Sequence, residues 1–385
     1  LRDAVIVDAV RTPIGKRDGA LSGWHPVDLS AQVLASLAER TGLDPATVDD
    51  VMWGCVNQLG DQSGNMGRLA ALAAGWPESV PGTTIERACG SSQQALHFAA
   101  ATVMSGMADT VVVGGVEMMS RVPLGAARST GFPYGPTVRA RYERDQFSQG
   151  LGAEMLAERY RLSRTALDEF SVRSHVLAAA ATDRGDFTDQ LVTPPAPDGS
   201  DAPVLTADEG IRRNTSVEVL AGLRPAFQEG GVIHAGNSSQ ISDGAAALLV
   251  TTSERAKSFR VAPLARFHSG SVAGDDPVVM LSAPWPATHA VLARAGLSID
   301  DIGAFEINEA FSSVPLAWLA ETGAKPERLN PLGGAIAVGH PLGASGAILM
   351  TRLLHHMRQR NIRYGLQAMC EAGGMANATI VELIE

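Results

Sequence analysis

Cysteine is nearly missing from this chain. Cys55, Cys89 and Cys370 are the only three in 385 residues, and none stands in a Cys-x-x-Cys or Cys/His metal spacing. That excludes a disulfide framework and the usual structural zinc sites. Aromatic residues are only 5% of the chain, while glycine reaches 40 residues. A core built without rings has to use small side chains at close approach and many tight turns. No apolar run reaches the roughly 20 residues that a membrane-spanning helix needs. Positive charge is also short, with 31 Lys and Arg against 41 Asp and Glu, a net charge of −10. Nucleic-acid backbone binding depends on a positive field, so no nucleic-acid partner is expected. The opening "LRDAVIVDAVRTPIG" reads as a strand and a turn, not as a charged start before an apolar signal core. The final "VELIE" is not a peroxisomal or reticulum address. The expectation is a cytoplasmic, reducing compartment and no membrane partner.

The chain is 45% hydrophobic and 19% charged, a globular composition, and its length implies two or three domains. Strand-like "DAVIVDAV" is followed by a helical pattern from Pro26 or Asp28 through "AQVLASLAERTG". A short strand, "VDDVMWGCVNQ", precedes a helix, "NMGRLAALAAGW". Then "GTTIERA" leads into the helix "GSSQQALHFAAATVMSG" and the apolar strand "DTVVVGGVEMM". This alternation predicts a layered α/β core with a buried sheet. After Ser120 the texture changes. Residues 121–145 hold five Arg against two acids and are rich in Pro and Gly, which reads as a long irregular excursion. The last third returns to the earlier style. "CGSSQQALHFAAATVM…TVVVGGVEMM" and "GHPLGASGAILMTRLL…GLQAMCEAGGM" each run from a polar residue through Gly and Ser to a small-residue helix, an apolar strand and Gly-Gly. The parallel points to an internal duplication.

Chemistry-bearing residues stand at these punctuation points. Cys89 precedes Gly90-Ser91-Ser92 at the mouth of a helix, where free N–H groups and the helix dipole favour a thiolate. Read by itself it is either a nucleophile or a packed core cysteine. His340 sits in "GGAIAVGHPLGASGA", a tightly shaped turn suited to a base or an oxyanion donor, or to a purely structural ring. Cys370 ends an apolar strand in "MCEAGGMANA". Asn308 follows a strand in "EINEAFSS", where a helix cap is the plain alternative. Cys55 reads as core.

Together these segments resemble the thiolases, the acyl-CoA acetyltransferases, over nearly the whole length. The resemblance runs through "RTPIGK", "ERACGSSQQAL", "GGVEMMSR", "GLGAEMLAERY", "LRPAF", "AGNSSQISDGAAALL", "NEAF", "NPLGGAIAVGHPLGASGA" and "MCEAGGMANATI", in that order. It implies a thiolase fold: two similar α/β halves, each a five-stranded mixed sheet, in an α-β-α-β-α layering with an inserted loop domain. The implied division is residues 1–118 plus 240–258 for the first half, 119–239 for a loop domain over the CoA site, and 259–385 for the second half. The resemblance also implies roles. Cys89 would take the acyl group as a thioester, activated by His340. Cys370 would be the acid/base. Asn308 would hold a water in one oxyanion hole with His340, and the N–H groups of Cys89 and Ala372 would form another. Ser239 and Arg212 would contact CoA, and Gln149, Met280 and Phe311 would line the acyl pocket. Coenzyme A is implied as co-substrate, with no permanently bound cofactor, no metal, and a dimer or tetramer of identical chains, tetramer contacts falling in 121–145.

The implied reaction is CoA-dependent cleavage of a 3-oxoacyl-CoA to acetyl-CoA and a shortened acyl-CoA, in the bacterial degradative branch, with steroid-derived or other branched acids among the substrates. Three other readings stand beside it: condensation of two acetyl-CoA, a decarboxylating ketosynthase, and a non-catalytic CoA- or lipid-binding protein. The second cysteine argues against the ketosynthase, and retention of all four catalytic residues argues against the binding protein. Three features depart from the family pattern. Ala372 stands where a glycine is common, Gln149 where a methionine is usual, and "NEAFSS" replaces "NEAFA".

Overall fold

The computed structural model describes residues 2–129, 131–196 and 203–384. Ten strands are present among the described residues: β1 Val5–Arg11, β2 Gly15–Lys16, β3 Asp50–Gly54, β4 Gly82–Ile85, β5 Thr110–Met118, β6 Ser242–Thr251, β7 Ala265–Gly274, β8 Ala304–Ile307, β9 Tyr364–Glu371 and β10 Met375–Leu383. They follow the order β4-β3-β5-β6-β1-β7-β10-β9-β8, with β2 paired to β6.

The duplication read from the sequence is visible in this order. In the first half β3 runs parallel to both β4 and β5, β5 is antiparallel to β6, and β6 is antiparallel to β1. In the second half β8 runs parallel to β9, β9 is antiparallel to β10, and β10 is antiparallel to β7. The place of β4 is taken by a single parallel bridge between Phe305 and Leu329. The second half therefore has four strands and a bridge where five strands were expected. The segment in question contains "RLNPLGG": Asn330 N–H donates to Phe305 O at 2.8 Å, but Asn330 then turns left-handed, φ 44°, and its side-chain amide takes the Ile307 N–H and O at 2.8 and 2.9 Å, which ends the ladder. The halves meet at their edges, where Val5 and Ile6 of β1 pair with Arg266 and Ala265 of β7.

Strand alternation sorts the core into layers. In β5, Val111 and Val113 face one side, while Val112, Val116 and Met118 face the other. In β6, Ala246, Leu248 and Val250 alternate in the same way with Ala245, Ala247 and Leu249. Both faces are buried, as the near-continuous apolar runs require. On the inner face lie helices Ser91–Ser105 and Leu342–Arg360, contributing Ala95, Ala99, Ala347 and Leu354 among others. Ser92 Oγ accepts from the N–H of Ala347 at 2.9 Å, so the two helices cross in direct contact. Helices Pro26–Thr41 and Met66–Ala73 cover the outer face of the first half. Helices Pro284–Ala295 and Ser313–Thr322 cover that of the second.

The excursion at 121–145, read as irregular, holds one short α-helix, Pro136–Tyr142, and helices Gln149–Arg159, Arg164–Arg184 and Val217–Ala221 follow it. Pro136 opens the first of these at a helix start, where its missing N–H costs nothing. No helix among the described residues is long and apolar enough to cross a membrane.

Candidate active site

Cys89 is presented by a sharp turn. Ala88 takes a left-handed backbone conformation, φ 43°, and its N–H donates to Glu86 Oε1 at 2.7 Å. Ser91 Oγ donates to Ala88 O at 2.6 Å and accepts from Arg87 N–H at 2.9 Å. A non-glycine residue in that conformation stores about 1–3 kcal/mol and persists only where its surroundings fix it, often beside reacting groups. Cys89 follows directly and is buried against Leu349 and Met369. Burial pushes its thiol well up, and Cys370 and Glu371 push it further. The helix mouth alone thus leaves no standing thiolate, and a base has to take the proton.

His340 lies where Gly339, at φ 111°, turns the chain into helix Leu342–Arg360. Its N–H donates to Gln240 O at 3.1 Å and its Nδ1 lies 2.6 Å from Ser345 Oγ. Ser345 Oγ donates to Pro341 O at 2.8 Å. A hydroxyl has one proton, so with that proton on Pro341 the Ser345 oxygen accepts from His340 Nδ1–H. This pattern assigns the tautomer and leaves Nε2 as the ring's basic nitrogen. Burial lowers His340 to about 4, so the ring is neutral at physiological pH. Ser345 was not singled out from sequence. The signal was present, since a serine five residues after a candidate base, on the first turn of its helix, reaches back to it.

Asn308 is not a helix cap. The following helix starts at Ser313 with Ser312 in the cap position. Asn308 Nδ2 instead lies 3.5 Å from His340 Nε2 and 3.9 Å from Cys370 Sγ, and its buried Oδ1 has no partner. Cys370 is pushed up to about 12 by burial, partly offset by the hydrogen bond from Asn308. Beyond it Gly373 and Gly374 take φ 88° and 77°, while Ala372 does not enter the left-handed region. The two glycines make the turn, which is why an alanine is tolerated first. Among the described residues no main-chain carbonyl takes up the N–H of Cys89 or of Ala372.

The residues expected at the CoA and acyl positions fall into two groups. Ser239 N–H donates to Ala310 O at 2.9 Å, which sets it beside Phe311. Phe311 meets Phe227 edge-on at 5.8 Å, and Phe227 packs against Gly150, next to Gln149. Met280, buried at φ 63°, lies beside Gly152 one helical turn on. Gln149 is half-buried, and its amide is not among the buried polar atoms left without a partner. Phe227 was quoted only within "LRPAF", and its ring contact supplies its place. Arg212 lies apart, in a cleft of about 280 Å³ lined also by His175, Asp183, Arg213 and Thr215. Cys55 is buried behind the site, as expected. No group of three or more His, Cys, Asp or Glu among the described residues is arranged to hold a metal ion.

A family model described as "Thiolase, N-terminal domain" matches residues 4–254, and one described as "Thiolase, C-terminal domain" matches residues 261–383. The chain belongs to the thiolase family. This thiolase chain is 48% identical to a steroid 3-ketoacyl-CoA thiolase of Mycobacterium tuberculosis, with 99% of this chain and 94% of that protein covered. It is 45% identical to a 3-ketoacyl-CoA thiolase of Erwinia tasmaniensis, with both covered in full. Among solved structures it is similar to the acetyl-CoA acetyltransferase of Bacillus anthracis, with a TM-score of 0.91, 37% identity, and 100% of this chain and 99% of that one covered.

Proposed function

We propose that this thiolase cleaves 3-oxoacyl-CoA with CoA, through a thioester on Cys89. The observation that carries the reading is the line His340–Asn308–Cys370, with contacts of 3.5 and 3.9 Å, next to Cys89. His340 Nε2 accepts the Cys89 proton. The sulfur attacks the 3-oxo carbon, the C2–C3 bond breaks, and its electron pair goes to the acetyl-CoA enolate. Cys370, a thiol at neutral pH, protonates that carbon. Its thiolate then takes the proton of an incoming CoA thiol, which attacks the acyl-Cys89 thioester and releases the shortened acyl-CoA. The free N–H groups of Cys89 and Ala372 suit one developing oxyanion, and His340 with a water on Asn308 suits the other; such prepositioned donors contribute about 3–4 kcal/mol each in comparable acyl transfers.

The identity of 48% and 45% to relatives named 3-ketoacyl-CoA thiolases, against 37% to the acetyl-CoA acetyltransferase, favours cleavage over condensation. A longer, polar or ring-bearing acyl chain, steroid-derived acids included, fits Gln149 at the acyl wall. Ser239 serves the pantetheine arm and Arg212 the phosphate end, beneath a loop domain of residues 119–239. Three free, buried cysteines fit a cytoplasmic setting. The open edge of β4, the exposed Phe98 and Met104 of helix Ser91–Ser105 and the exposed Met107 just past its end fit a dimer or tetramer of identical chains.

Thiolysis of a panel of straight-chain and ring-bearing 3-oxoacyl-CoAs tests the activity, and acyl trapping tests the roles. Cys370→Ala mixed with an acyl-CoA should carry a stable acyl adduct on Cys89 by intact mass and lose about 10²–10⁴-fold in turnover. Full turnover by Cys370→Ala, or an adduct on Cys55, would overturn the assignment.

A further inference from the structure

Glu371 is a buried carboxyl that the reaction above does not use. It ends β9 and is fully buried. Strand alternation turns Cys370 toward Asn308 and turns Met369 and Glu371 the opposite way, toward Cys89. The carboxyl lies against the main chain of Gly90. A Cβ placed there would fall 1.8 Å from Glu371 Oε1 and 2.9 Å from Asn377 Oδ1. Gly90 is the residue after Cys89 and the N-cap of the helix that follows, which has neither a side-chain cap nor an acidic residue in its first turn. Glu371 therefore stands, from a different strand, where the nucleophile's helix lacks a carboxylate of its own.

Two features of this contact point to a bound proton. Among the described residues the only donor that acts on the Glu371 carboxyl is the Asn377 N–H, which makes no well-formed hydrogen bond to either oxygen, and the adjacent buried Asn377 Oδ1 has no donor. Two unpartnered acceptors sharing one dry space are costly, at about 1–3 kcal/mol each. One proton on Glu371 turns the pair into a donor and an acceptor. The charged and titratable groups facing it from the packed elements are Arg87 and Glu86 in the turn, Cys89 at the helix mouth and Cys370 on its own strand. His97 borders Asn377 at 3.4 Å. Burial pushes Glu371 up to about 8, with Arg87 and the Asn377 N–H pulling the other way.

We propose that Glu371 is a proton-holding positioning residue that decides when Cys89 can exist as a thiolate. Protonated, it leaves the helix mouth to the sulfur. Ionised, it puts a second negative charge beside Cys89 and Cys370, and the thiolate loses. The site then carries one negative charge, shared among a carboxyl and two thiols, and activity declines on the alkaline side as Glu371 gives up its proton. This rests on Cys89 being the nucleophile.

The test is Glu371→Gln, whose amide imitates the protonated acid and can donate to Asn377 Oδ1. The readout is the pH dependence of iodoacetamide alkylation at Cys89, resolved by peptide mass spectrometry, with the thiolysis pH profile beside it. The expected result is a Cys89 alkylation midpoint about one pH unit lower, a roughly tenfold faster alkylation below the midpoint, and loss of the alkaline decline in turnover. Glu371→Asp, which keeps an ionisable group, should retain the decline. A Cys89 midpoint unchanged in a folded Glu371→Gln overturns the proposal. Should that variant not fold, the infrared spectrum of the wild-type protein decides. A buried protonated-carboxyl band at neutral pH that Glu371→Asp shifts supports the proposal, and its absence overturns it. Failure of the thiolase reading shows separately, as wild-type protein without thiolysis.

Discussion

Gln149 is the side chain on which the proposed substrate preference rests. It opens helix Gln149–Arg159 at the edge of the Phe227–Phe311 contact. A methionine there would present a flexible apolar wall. An amide has to stay wet or meet a polar group, because an unpaired buried one costs about 1–3 kcal/mol. The small acetoacetyl chain supplies no such group. We expect kcat/KM to be higher for longer or polar 3-oxoacyl-CoAs than for acetoacetyl-CoA, with Gln149→Met narrowing the gap severalfold. Steady-state kinetics on both variants check it. Equal ratios in the two enzymes would make the amide structural.

At the scale of elements, the segment carrying Ser239 is tied to two helices by buried carboxylates. Asp168 of helix Arg164–Arg184 accepts from His234 Nε2 at 2.7 Å, Asn237 Nδ2 at 3.1 Å and Arg164 Nε at 2.9 Å. Glu154 of the preceding helix accepts the N–H groups of Val232 and Ile233, both at 2.9 Å. Ser239 thus owes its position to side chains about 70 to 85 residues earlier in the chain. Asp168→Asn removes the charge facing Arg164 and His234, and breaking a buried pair of this kind costs about 3–5 kcal/mol. The expected outcome is a lower melting temperature and a KM for CoA raised several-fold, with a smaller change in kcat. An unchanged KM would separate this network from CoA binding.

For the whole molecule, the interior holds charge that the apolar layers do not explain. Arg11 and Arg352 each lie over the Phe187 ring, at 5.2 and 5.0 Å, and Arg11 is paired with Asp208 at 2.7 Å. Glu306 lies close enough for Arg352 to act on it, yet its Oε2 has no hydrogen bond, and burial lifts its carboxyl to about 7 from an ordinary 4.5. A raised carboxyl binds its proton more tightly in the folded state. Its contribution is therefore complete below about pH 4.5 and is lost as pH rises to about 7. Glu306→Gln removes that loss. The stability difference, variant minus wild type, should grow by about 2–3 kcal/mol between those limits, read from denaturant titrations. His340 works in the opposite sense, losing stability as pH falls from 6.5 toward 4, and is common to both proteins.

The sequence by itself determined the layered α/β class, the place of most strands and helices, and the identity of the four residues brought together at the site. Local periodicity carries the elements. Cysteine and histidine among glycines mark the candidate site, because a turn that bares a reactive side chain needs small neighbours. It also showed the duplication, through two glycine-bounded helix–strand units. Only the tertiary structure decided the rest. It reduced the fifth strand of the second half to the Phe305–Leu329 bridge. It removed the cap alternative for Asn308 and set that side chain against His340 and Cys370. It left Cys89 a buried thiol in need of a base, where the helix mouth read locally favours a thiolate. It set Ser345 on His340 and Glu371 against Gly90. Each of these depends on distances across the fold and on which groups are taken out of water together, and neither is encoded in any one stretch of residues.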